Sequence, residues 1–279
     1  MSDDQRRPRH GKSGPGHKSG PGRSNRPPSR PDWRARRAAE VEDGVILYGW
    51  HPVVEALSNP KRRIRRLLVT ENAQRRLTEE LGPLRVTPEL ARPDEIARKL
   101  EPDAVHQGLY IEADPLPSPT IETMNAQSLI LVLDQITDPH NVGAIVRTAA
   151  AFGVDSIVTT ARHSPSATGV MAKSASGGLE HVPFTIVRNL AGALQTLRER
   201  GFLCIGLDSA GETELEAVPL RRPVALVLGA EGKGLRQLTR ERCNVLARLD
   251  MPGHIKSLNV SNAAAVALYA TSRALAALD

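Results

Sequence analysis

From about Ile121 to the C-terminus, short apolar runs alternate with longer stretches whose apolar residues recur at helical spacing. The apolar runs predict strands at 129–133, 156–160, 182–187, 202–207, 224–228 and 245–249. The stretches between most of them predict helices at 142–152, 190–200, 235–242 and 260–277. Because continuous apolar strands alternate with helices, the pattern predicts an α/β fold with a mainly parallel sheet covered on both faces.

The preceding part of the chain predicts a second, smaller α/β unit. Its expected strands are 45–49, 64–70 and 107–111, and its expected helices are 51–57, 71–81 and 93–100. The run Asp114-Pro115-Leu116-Pro117-Ser118-Pro119 is stiff and extended, as linkers are. We therefore expect a small domain at 44–114, a linker at 115–127 and a larger domain at 128–279.

The basic character of the chain is confined to its first residues. Residues 1–37 hold 11 Lys/Arg and 3 Asp/Glu, a net of +8, so the remainder carries −2 of the overall +6. This segment is rich in Gly, Pro, Ser and Arg and repeats Lys-Ser-Gly-Pro-Gly at 12–16 and 18–22, which predicts a disordered basic tail over 1–43. Such a tail would attract a polyphosphate chain without reading its sequence, or would serve only solubility.

Composition excludes several classes of protein. Cys204 and Cys243 lack ligand-like spacing, so we expect neither a disulfide framework nor a metal site. No apolar run approaches the ~20 residues that span a bilayer, and the N-terminus lacks the apolar core of a secretory signal. We therefore expect a cytoplasmic protein without a membrane partner.

Three unusual segments each follow the end of a predicted strand. The first runs from Asp138 to Val154 and contains Asn141, Gly143 and Arg147. The second is Gly229-Ala230-Glu231-Gly232-Lys233-Gly234-Leu235, and the third is Met251-Pro252-Gly253 followed by Ser257-Leu258-Asn259-Val260-Ser261. Because ligands of parallel sheets bind beyond the carboxyl ends of the strands, the three segments predict one shared site.

The second segment allows two interpretations. Its glycines permit positive φ angles and close approach of the backbone to a ligand, but they could equally form a simple turn. The spacing matches neither the dinucleotide fingerprint nor the phosphate loop. Glu231 is expected near a helix N-terminus, where a carboxylate either caps the helix or orients a bound group.

Polar residues of the other two segments are also open to two interpretations. A helix N-cap needs one short polar side chain, whereas residues 257–262 offer four, and this excess favours a site. Arg147 has Ala and Val neighbours and is expected to be half-buried, where it would either pair with a carboxylate or take part in catalysis.

Together, the three segments resemble the motifs of the SpoU family of RNA ribose 2′-O-methyltransferases, a class with a deep C-terminal trefoil knot. The match covers about 129–279 and has the motifs in the family's order. It departs at Asp250, where many members have a proline. The resemblance implies a knotted, SPOUT-like domain, S-adenosylmethionine as the cofactor, and a homodimer whose sites are each completed by the partner subunit.

The N-terminal unit resembles the small ribosomal-protein-like RNA-binding domain of bacterial enzymes that methylate a guanosine ribose in 23S rRNA. The similar residues are Tyr48-Gly49-Trp50-His51-Pro52-Val53-Val54-Glu55-Ala56-Leu57 and His106-Gln107-Gly108. The resemblance implies 23S rRNA as the substrate. Two alternatives are the same reaction on tRNA and a ribosome-assembly RNA-binding protein without catalysis.

The resemblance also implies roles for individual residues. S-adenosylmethionine would lie against Gly229, Leu249 and Leu258, with Gly253 and Leu207 as further cofactor-binding residues. Its methyl group would face Arg147, and the family's proposal has this arginine take the proton of the ribose hydroxyl. A guanidinium group, however, keeps its proton up to a pKa above about 12. We hypothesise instead that Arg147 clamps the adjacent phosphate and stabilises alkoxide charge. The residues expected to orient this clamp and the ribose are Asn141, Glu231, Ser257 and Asn259.

Overall fold

The structure is a computed structural model that describes residues 44–161 and 169–278. It contains two β-sheets, one of four strands within residues 45–113 and one of seven strands within residues 129–248. The predicted α/β fold with a mainly parallel C-terminal sheet is confirmed. The predicted tail at 1–43 lies outside the described residues.

The smaller sheet is mixed and has the order β1-β4-β2-β3. Strand β4 is antiparallel to both β1 and β2, and β3 is parallel to β2. Its strands are β1 (Val45–Tyr48), β2 (Ile64–Val69), β3 (Glu89–Leu90) and β4 (Leu109–Ala113). Its helices are α1 (Trp50–Ser58), α2 (Glu71–Leu81) and α3 (Pro93–Ala97). Helices α1 and α2 bury Val53 and Leu77 against the sheet residues Leu67 and Ile111.

The larger sheet is parallel throughout and has the order β7-β6-β5-β10-β8-β11-β9. Its strands are β5 (Leu129–Asp134), β6 (Ser156–Thr160), β7 (Phe184–Val187), β8 (Leu203–Leu207), β9 (Thr213–Glu214), β10 (Val224–Gly229) and β11 (Val245–Arg248). All six residues of β5 are buried, as the continuous apolar run predicts for a central strand covered on both faces.

Helices cover both faces of this sheet. They are α4 (Pro139–Ala151), α5 (Gly169–Ala175), α6 (Leu190–Glu199), α7 (Gln237–Glu241) and α8 (Val260–Ala276). Helices α4 and α8 share one core, in which Ile145 and Leu268 surround Leu131 of β5. Helix α6 contributes Leu194 to the core on the other face, where Val132 lies. Because successive side chains of β5 point to opposite faces of the sheet, this one strand contributes to both cores.

Several element boundaries differ from the prediction. Helix α4 begins at Pro139 rather than at 142, because the Asp138 side chain accepts a hydrogen bond from His140 N and proline is favoured at the first helical position. The strand expected at 107–111 is Leu109–Ala113, since Gln107 has a φ of 53° and cannot continue a strand. Helix α5 and the two-residue strands β3 and β9 were not predicted.

The predicted linker at 115–127 is partly structured. Residues Ile121–Thr123 form a short 3₁₀ helix, and Ile121 and Met124 are buried in the core beneath α6. The linker prediction overlooked these two apolar side chains, which contribute buried area to the larger unit.

Strand β11 lies between β8 and β9, although it comes later in the chain than both. The connection from β8 to β9 therefore has to cross β11. Asp208 N donates a hydrogen bond of 2.9 Å to Ala247 O, and a Cβ added at Gly211 would lie 2.8 Å from the Ala247 carbonyl carbon. Only glycine fits where these two segments of backbone pass each other.

Candidate active site

The site begins where β5 and β10 end side by side, with Asp134 opposite Gly229 in the parallel register. The Asp134 side chain is fully buried and accepts hydrogen bonds from the backbone N (3.1 Å) and the Nε (2.6 Å) of Arg236. A buried carboxylate needs such partners, because an unpaired one is costly. Asp134 thereby fixes the point at which the segment after β10 enters α7.

The second motif folds back tightly on the end of β10. Gly234 N donates a 2.8 Å hydrogen bond to Ala230 O, and Gly232 and Gly234 have φ angles of 75° and 63°. A Cβ added at Gly229 would lie 2.2 Å from the Gly234 carbonyl carbon. The turn is therefore closed by backbone packed against backbone, and its residues 231–234 are exposed.

Asn259 joins the three motifs. It is the N-cap of α8, and its Oδ1 accepts hydrogen bonds from the N (2.9 Å) and the Oγ (2.6 Å) of Ser261. Its Nδ2 donates to Asn141 Oδ1 at 3.0 Å and lies 3.5 Å from Glu231 Oε2. The structure thus brings together Asn141, Glu231 and Asn259, as the position of the three segments at strand ends predicts.

Glu231 lies near a helix N-terminus as predicted, but the helix is α8 and not the one that follows its own turn. The helix expected at 235–242 is the shorter Gln237–Glu241, because Arg236 is extended and is held by Asp134. Glu231 therefore lies in the turn after β10, away from the start of α7, and it faces Asn259, the N-cap of α8.

Arg147 is exposed on α4, so the expectation that it would be half-buried is wrong. Within residues 44–161 and 169–278, it forms no hydrogen bond and no ion pair, and its guanidinium group is available to a ligand. Its backbone is closely packed, however, since a Cβ added at Gly178 would lie 3.3 Å from Arg147 Cα.

The remaining predicted residues surround the same end of the sheet. Leu207 and Leu249 are partly buried where β8 and β11 end, and they pack against the core. Leu258 is 41% exposed, and Ser257 and Gly253 are exposed in the loop before α8. Ser257 makes no hydrogen bond to another described residue, so the structure does not connect it to the Asn259 network.

Two residues of the site were missed by sequence reasoning. Asp134 ends an otherwise apolar strand, and a carboxylate in that position could have indicated a buried partner. Ser261 was considered as a motif residue and a candidate N-cap, but its contact with Asn259 was missed: its hydroxyl donates to the Asn259 side-chain oxygen, while the Asn259 amide nitrogen reaches Asn141. The described residues contain no cluster of three or more metal-ligating side chains.

The two N-terminal motifs also meet in the structure. Gly49 has no side chain to cap α1, and the Gln107 Oε1 accepts the hydrogen bond of Trp50 N at 2.8 Å instead. The Trp50 ring is covered by the Arg76 guanidinium, 3.9 Å from the ring centroid, and its Nε1 donates to Glu80. These motifs therefore hold the start of α1 in place.

Two family models match the chain. Residues 128–269 match the SpoU rRNA Methylase family, and residues 46–119 match the model described as RNA 2′-O ribose methyltransferase substrate binding. A 23S rRNA (guanosine-2′-O-)-methyltransferase of Pseudomonas putida is 37% identical, over 81% of this chain and 95% of the relative. A putative TrmH family tRNA/rRNA methyltransferase of Bacillus subtilis is 34% identical, over 84% of this chain and 97% of the relative.

Among solved structures, the SpoU methyltransferase AviRb from Streptomyces viridochromogenes, in complex with AdoMet, superposes with a TM-score of 0.73 at 21% identity. The superposition covers 87% of this chain and 96% of that one, and it establishes the common fold. The chain belongs to the SpoU rRNA methylase family, so the family identified from the three motifs is confirmed. No helix among the described residues is long and apolar enough to cross a membrane.

Proposed function

We propose that this protein transfers a methyl group from S-adenosylmethionine to the ribose 2′-hydroxyl of a guanosine in 23S rRNA. The observation that carries the proposal is the convergence of the three family motifs on Asn259 at the carboxyl end of a parallel sheet. The similarity to 23S rRNA (guanosine-2′-O-)-methyltransferases over nearly their whole length supports the choice of reaction and substrate.

The residues at this end of the sheet fit S-adenosylmethionine. The turn after β10 has exposed residues at 231–234 beside Gly229, and backbone groups there would suit the hydrogen-bonding edge of an adenine. Leu207 and Leu249 offer apolar surface at the neighbouring strand ends, and the exposed Leu258 and Gly253 would complete the enclosure. An apolar lining with a few polar backbone groups is typical of small-molecule sites.

When bound, S-adenosylmethionine supplies the methyl group, whose bond to sulfur breaks as its bond to the ribose 2′-oxygen forms. We assign two roles to Arg147. Its guanidinium group would bind the RNA phosphate next to the reacting ribose, and it would stabilise the negative charge that develops on the ribose 2′-oxygen. A guanidinium group has planar, paired donors and no acceptor, which suits a phosphate clamp better than proton removal. The hydroxyl proton would leave to phosphate or water.

Asn141, Glu231 and Asn259 would act together, because they already form one hydrogen-bonded group. Together with Ser257, they would orient the ribose and the Arg147 clamp toward the methyl group. Proximity and alignment of two reactants can contribute on the order of 7–11 kcal/mol to catalysis. The arrangement therefore needs no side chain that acts as a strong base.

The N-terminal unit favours 23S rRNA over tRNA in this proposal. We assign residues 44–114 to RNA binding, 115–127 to the connection and 128–279 to methyl transfer. The match of residues 46–119 to a substrate-binding model supports the first assignment. A large rRNA substrate also suits a cytoplasmic protein.

We further propose that the protein is a homodimer with a trefoil knot in its C-terminal part. Val266 and Tyr269 are 45% and 59% exposed on α8, and the Tyr269 ring packs edge-on against Phe152 at 6.2 Å. Such a contiguous apolar face is a candidate for a subunit interface. The passage of residues 208–212 across β11 supports the knot.

The experiment that tests the function is incubation of the purified protein with radiolabelled S-adenosylmethionine and unmodified total RNA, followed by separation of rRNA and tRNA. Label in 23S rRNA that resists alkali as a dinucleotide would support ribose methylation of the proposed substrate. Label confined to tRNA would keep the reaction and overturn the substrate. S-adenosylmethionine binding without label in any RNA would instead favour a non-catalytic RNA-binding role.

A further inference from the structure

Arg62, the middle residue of a basic run, forms a buried ion pair that connects the smaller unit to the larger one. In Lys61-Arg62-Arg63, the Arg63 side chain is 84% exposed, whereas that of Arg62 is 3% exposed. Arg62 donates from Nη2 to Glu180 Oε1 at 2.7 Å and from Nε to both carboxylate oxygens at 3.1 Å. The Glu180 side chain is 2% exposed, and the residue belongs to the segment that follows α5.

The smaller unit holds Arg62 rigidly for this contact. Arg62 Nη1 donates to Asp114 O at 2.7 Å, and the backbone oxygen of Arg62 accepts from Arg85 Nη2 at 2.8 Å. Asn59 Nδ2 donates a further 2.7 Å hydrogen bond to Glu180 Oε2. Two side chains of the smaller unit therefore enclose one carboxylate, and charge-assisted bonds of this kind fix geometry as well as adding energy.

The segment that carries Glu180 rests directly on the backbone of Arg147. Gly177 has a φ of 89° and opens the 3₁₀ helix Gly178–Glu180. A Cβ at Gly178 would lie 3.0 Å from Val146 O and 3.3 Å from Arg147 Cα. Gly178, which contacts Arg147, is thus only two residues before Glu180, which pairs with Arg62. The two contacts are joined by backbone and not through a flexible side chain.

Helix α5 forms a second connection of the same kind. Its Ala172 belongs to the core of the smaller unit, and a Cβ at Gly169 would collide with the Tyr48 ring at 2.2 Å. On the other side, a Cβ at Gly143 of α4 would lie 2.4 Å from Ser174 Cβ and 2.7 Å from Met171 O. Helix α5 is therefore packed between the smaller unit and the helix that carries Asn141 and Arg147.

We propose that Arg62 and Glu180 are positioning residues: their buried pair holds the RNA-binding unit at a fixed place relative to Arg147, so that bound RNA presents its ribose in register with the reactive site. This inference rests on the proposed function. It explains why a fully desolvated ion pair is placed between two units that a proline-rich connection already tethers, since a tether restricts distance but not orientation.

The inference predicts a loss in the chemical step rather than in binding. In the double variant Arg62→Met with Glu180→Gln, neither residue leaves an unpaired buried charge, which is what makes single removals destabilising. The glutamine can still accept from Asn59. We expect unchanged affinity for S-adenosylmethionine, RNA affinity within about threefold of wild type, and a single-turnover rate at saturating RNA lower by about 10- to 100-fold, the range that small misplacements of reactants produce.

The experiment combines that rate with a distance measurement. Spin labels are attached at Glu79→Cys and Glu216→Cys, two exposed positions on different units. After dilution with unlabelled chain, double electron–electron resonance measures the distance between the labels and so reports how the two units are oriented. We expect one narrow distance in the otherwise wild-type chain and a broad distribution with Arg62→Met/Glu180→Gln. The matched control is Arg66→Met/Glu89→Gln, which removes an exposed 2.6 Å Arg–Glu pair within the smaller sheet. Because the rate is measured at saturating RNA, a change in RNA affinity in this control does not affect it, and we expect both the rate and the distance distribution to match those of the wild type.

A double variant with the wild-type rate, or with an unchanged narrow distance, would overturn the inference. A broad distance in the wild-type background would also overturn it, even if that protein methylates RNA well. Failure of the proposed function has a different signature, because a wild-type chain that labels no RNA while it keeps one narrow distance would contradict the reaction and not the fixed orientation.

Discussion

Asn259 Nδ2 donates a hydrogen bond to Asn141 Oδ1 at 3.0 Å, although the two residues lie on different helices and 118 positions apart. The same Asn259 side chain caps α8 through its oxygen. Its two ends therefore serve different purposes, because the oxygen stabilises a helix while the nitrogen aligns the motifs. A substitution at Asn259 can consequently be tested for both effects separately.

We expect Asn259→Ala to lower the free energy of unfolding by about 1 kcal/mol, the usual contribution of an N-cap. We expect the rate of methyl transfer to fall by about 10-fold or more, because Asn141 and Glu231 lose their common partner. Chemical denaturation and single-turnover methylation of unmodified rRNA would measure the two effects.

The matched control for that variant is Asn189→Ala. Asn189 caps α6 by accepting hydrogen bonds from Ala191 N and Gly192 N, and it belongs to none of the three motifs. It should lose a similar amount of stability and keep its rate. If both variants lost activity in proportion to stability, Asn259 would be only a helix cap.

Arg147→Ala should leave stability within about 0.5 kcal/mol of wild type, since an exposed side chain without an ion pair in the described ranges contributes little to folding. Methyl transfer should fall by about 100-fold or more, and Arg147→Lys should recover only a small part of it, because a point charge does not replace a planar pair of donors. Thermal unfolding and single-turnover rates would show this.

Arg188→Ala serves as the control for Arg147, because Arg188 is also exposed and without a polar partner among the described residues, but follows β7 at the sheet edge. Its rate should be unchanged. A near-normal rate for Arg147→Lys would exclude the planar clamp and leave only a requirement for positive charge.

The parallel sheet and the place of the site could be predicted because both depend on local pattern. Continuous apolar runs such as that of β10 are buried on both faces, and the motifs had to meet wherever these runs end. The partner of each motif residue could not be predicted in the same way. Glu231 was expected near the N-terminus of the helix that follows its turn, either to cap it or to orient a bound group. In the structure that helix begins only at Gln237, since Arg236 is extended and held by Asp134, and Glu231 faces Asn259 instead.

Arg62 shows a second limit of sequence reasoning. Its neighbours Lys61 and Arg63 make it one member of a basic run, and such runs are normally solvated. Its burial depends on Glu180, 118 positions later, which no local pattern connects to it. The same holds for α5, whose small residues gave no strong helical periodicity and are explained by close packing on both sides.

The two cysteines give a prediction about pH. Burial raises the pKa of the Cys204 and Cys243 thiols from 9.0 to about 12. Above about pH 9 the unfolded chain loses these protons while the folded chain retains them, so the unfolded state binds fewer protons. The free energy of unfolding should therefore fall as the pH rises from about 9 toward 12. Urea denaturation at a series of pH values would measure this fall.

Alkylation offers an independent check on the same thiols. The higher pKa lowers the thiolate fraction by about a thousandfold near pH 8, so iodoacetamide should modify the native protein very slowly and the guanidinium-unfolded protein rapidly. Cys204, which is completely buried, should react more slowly than the partly exposed Cys243. Native thiols that react within minutes would contradict the raised pKa.

Gly229→Ala should abolish S-adenosylmethionine binding, because the new Cβ would lie 2.2 Å from the Gly234 carbonyl carbon and 2.4 Å from its oxygen. These are backbone atoms, so the clash cannot be relieved by rotating a side chain, and the turn after β10 must open.

Gly192→Ala is the steric control. A Cβ at Gly192 would lie 3.6 Å from its nearest contact, Asn189 Nδ2, and alanine is favoured in a helix. Gly253→Ala meets no atom within 4 Å and should fold normally. Calorimetric titration with S-adenosylmethionine should thus show no binding for Gly229→Ala, normal binding for Gly192→Ala, and weaker binding for Gly253→Ala only if a ligand contacts that loop. Retained affinity in Gly229→Ala would mean that the closed turn is not part of the cofactor site.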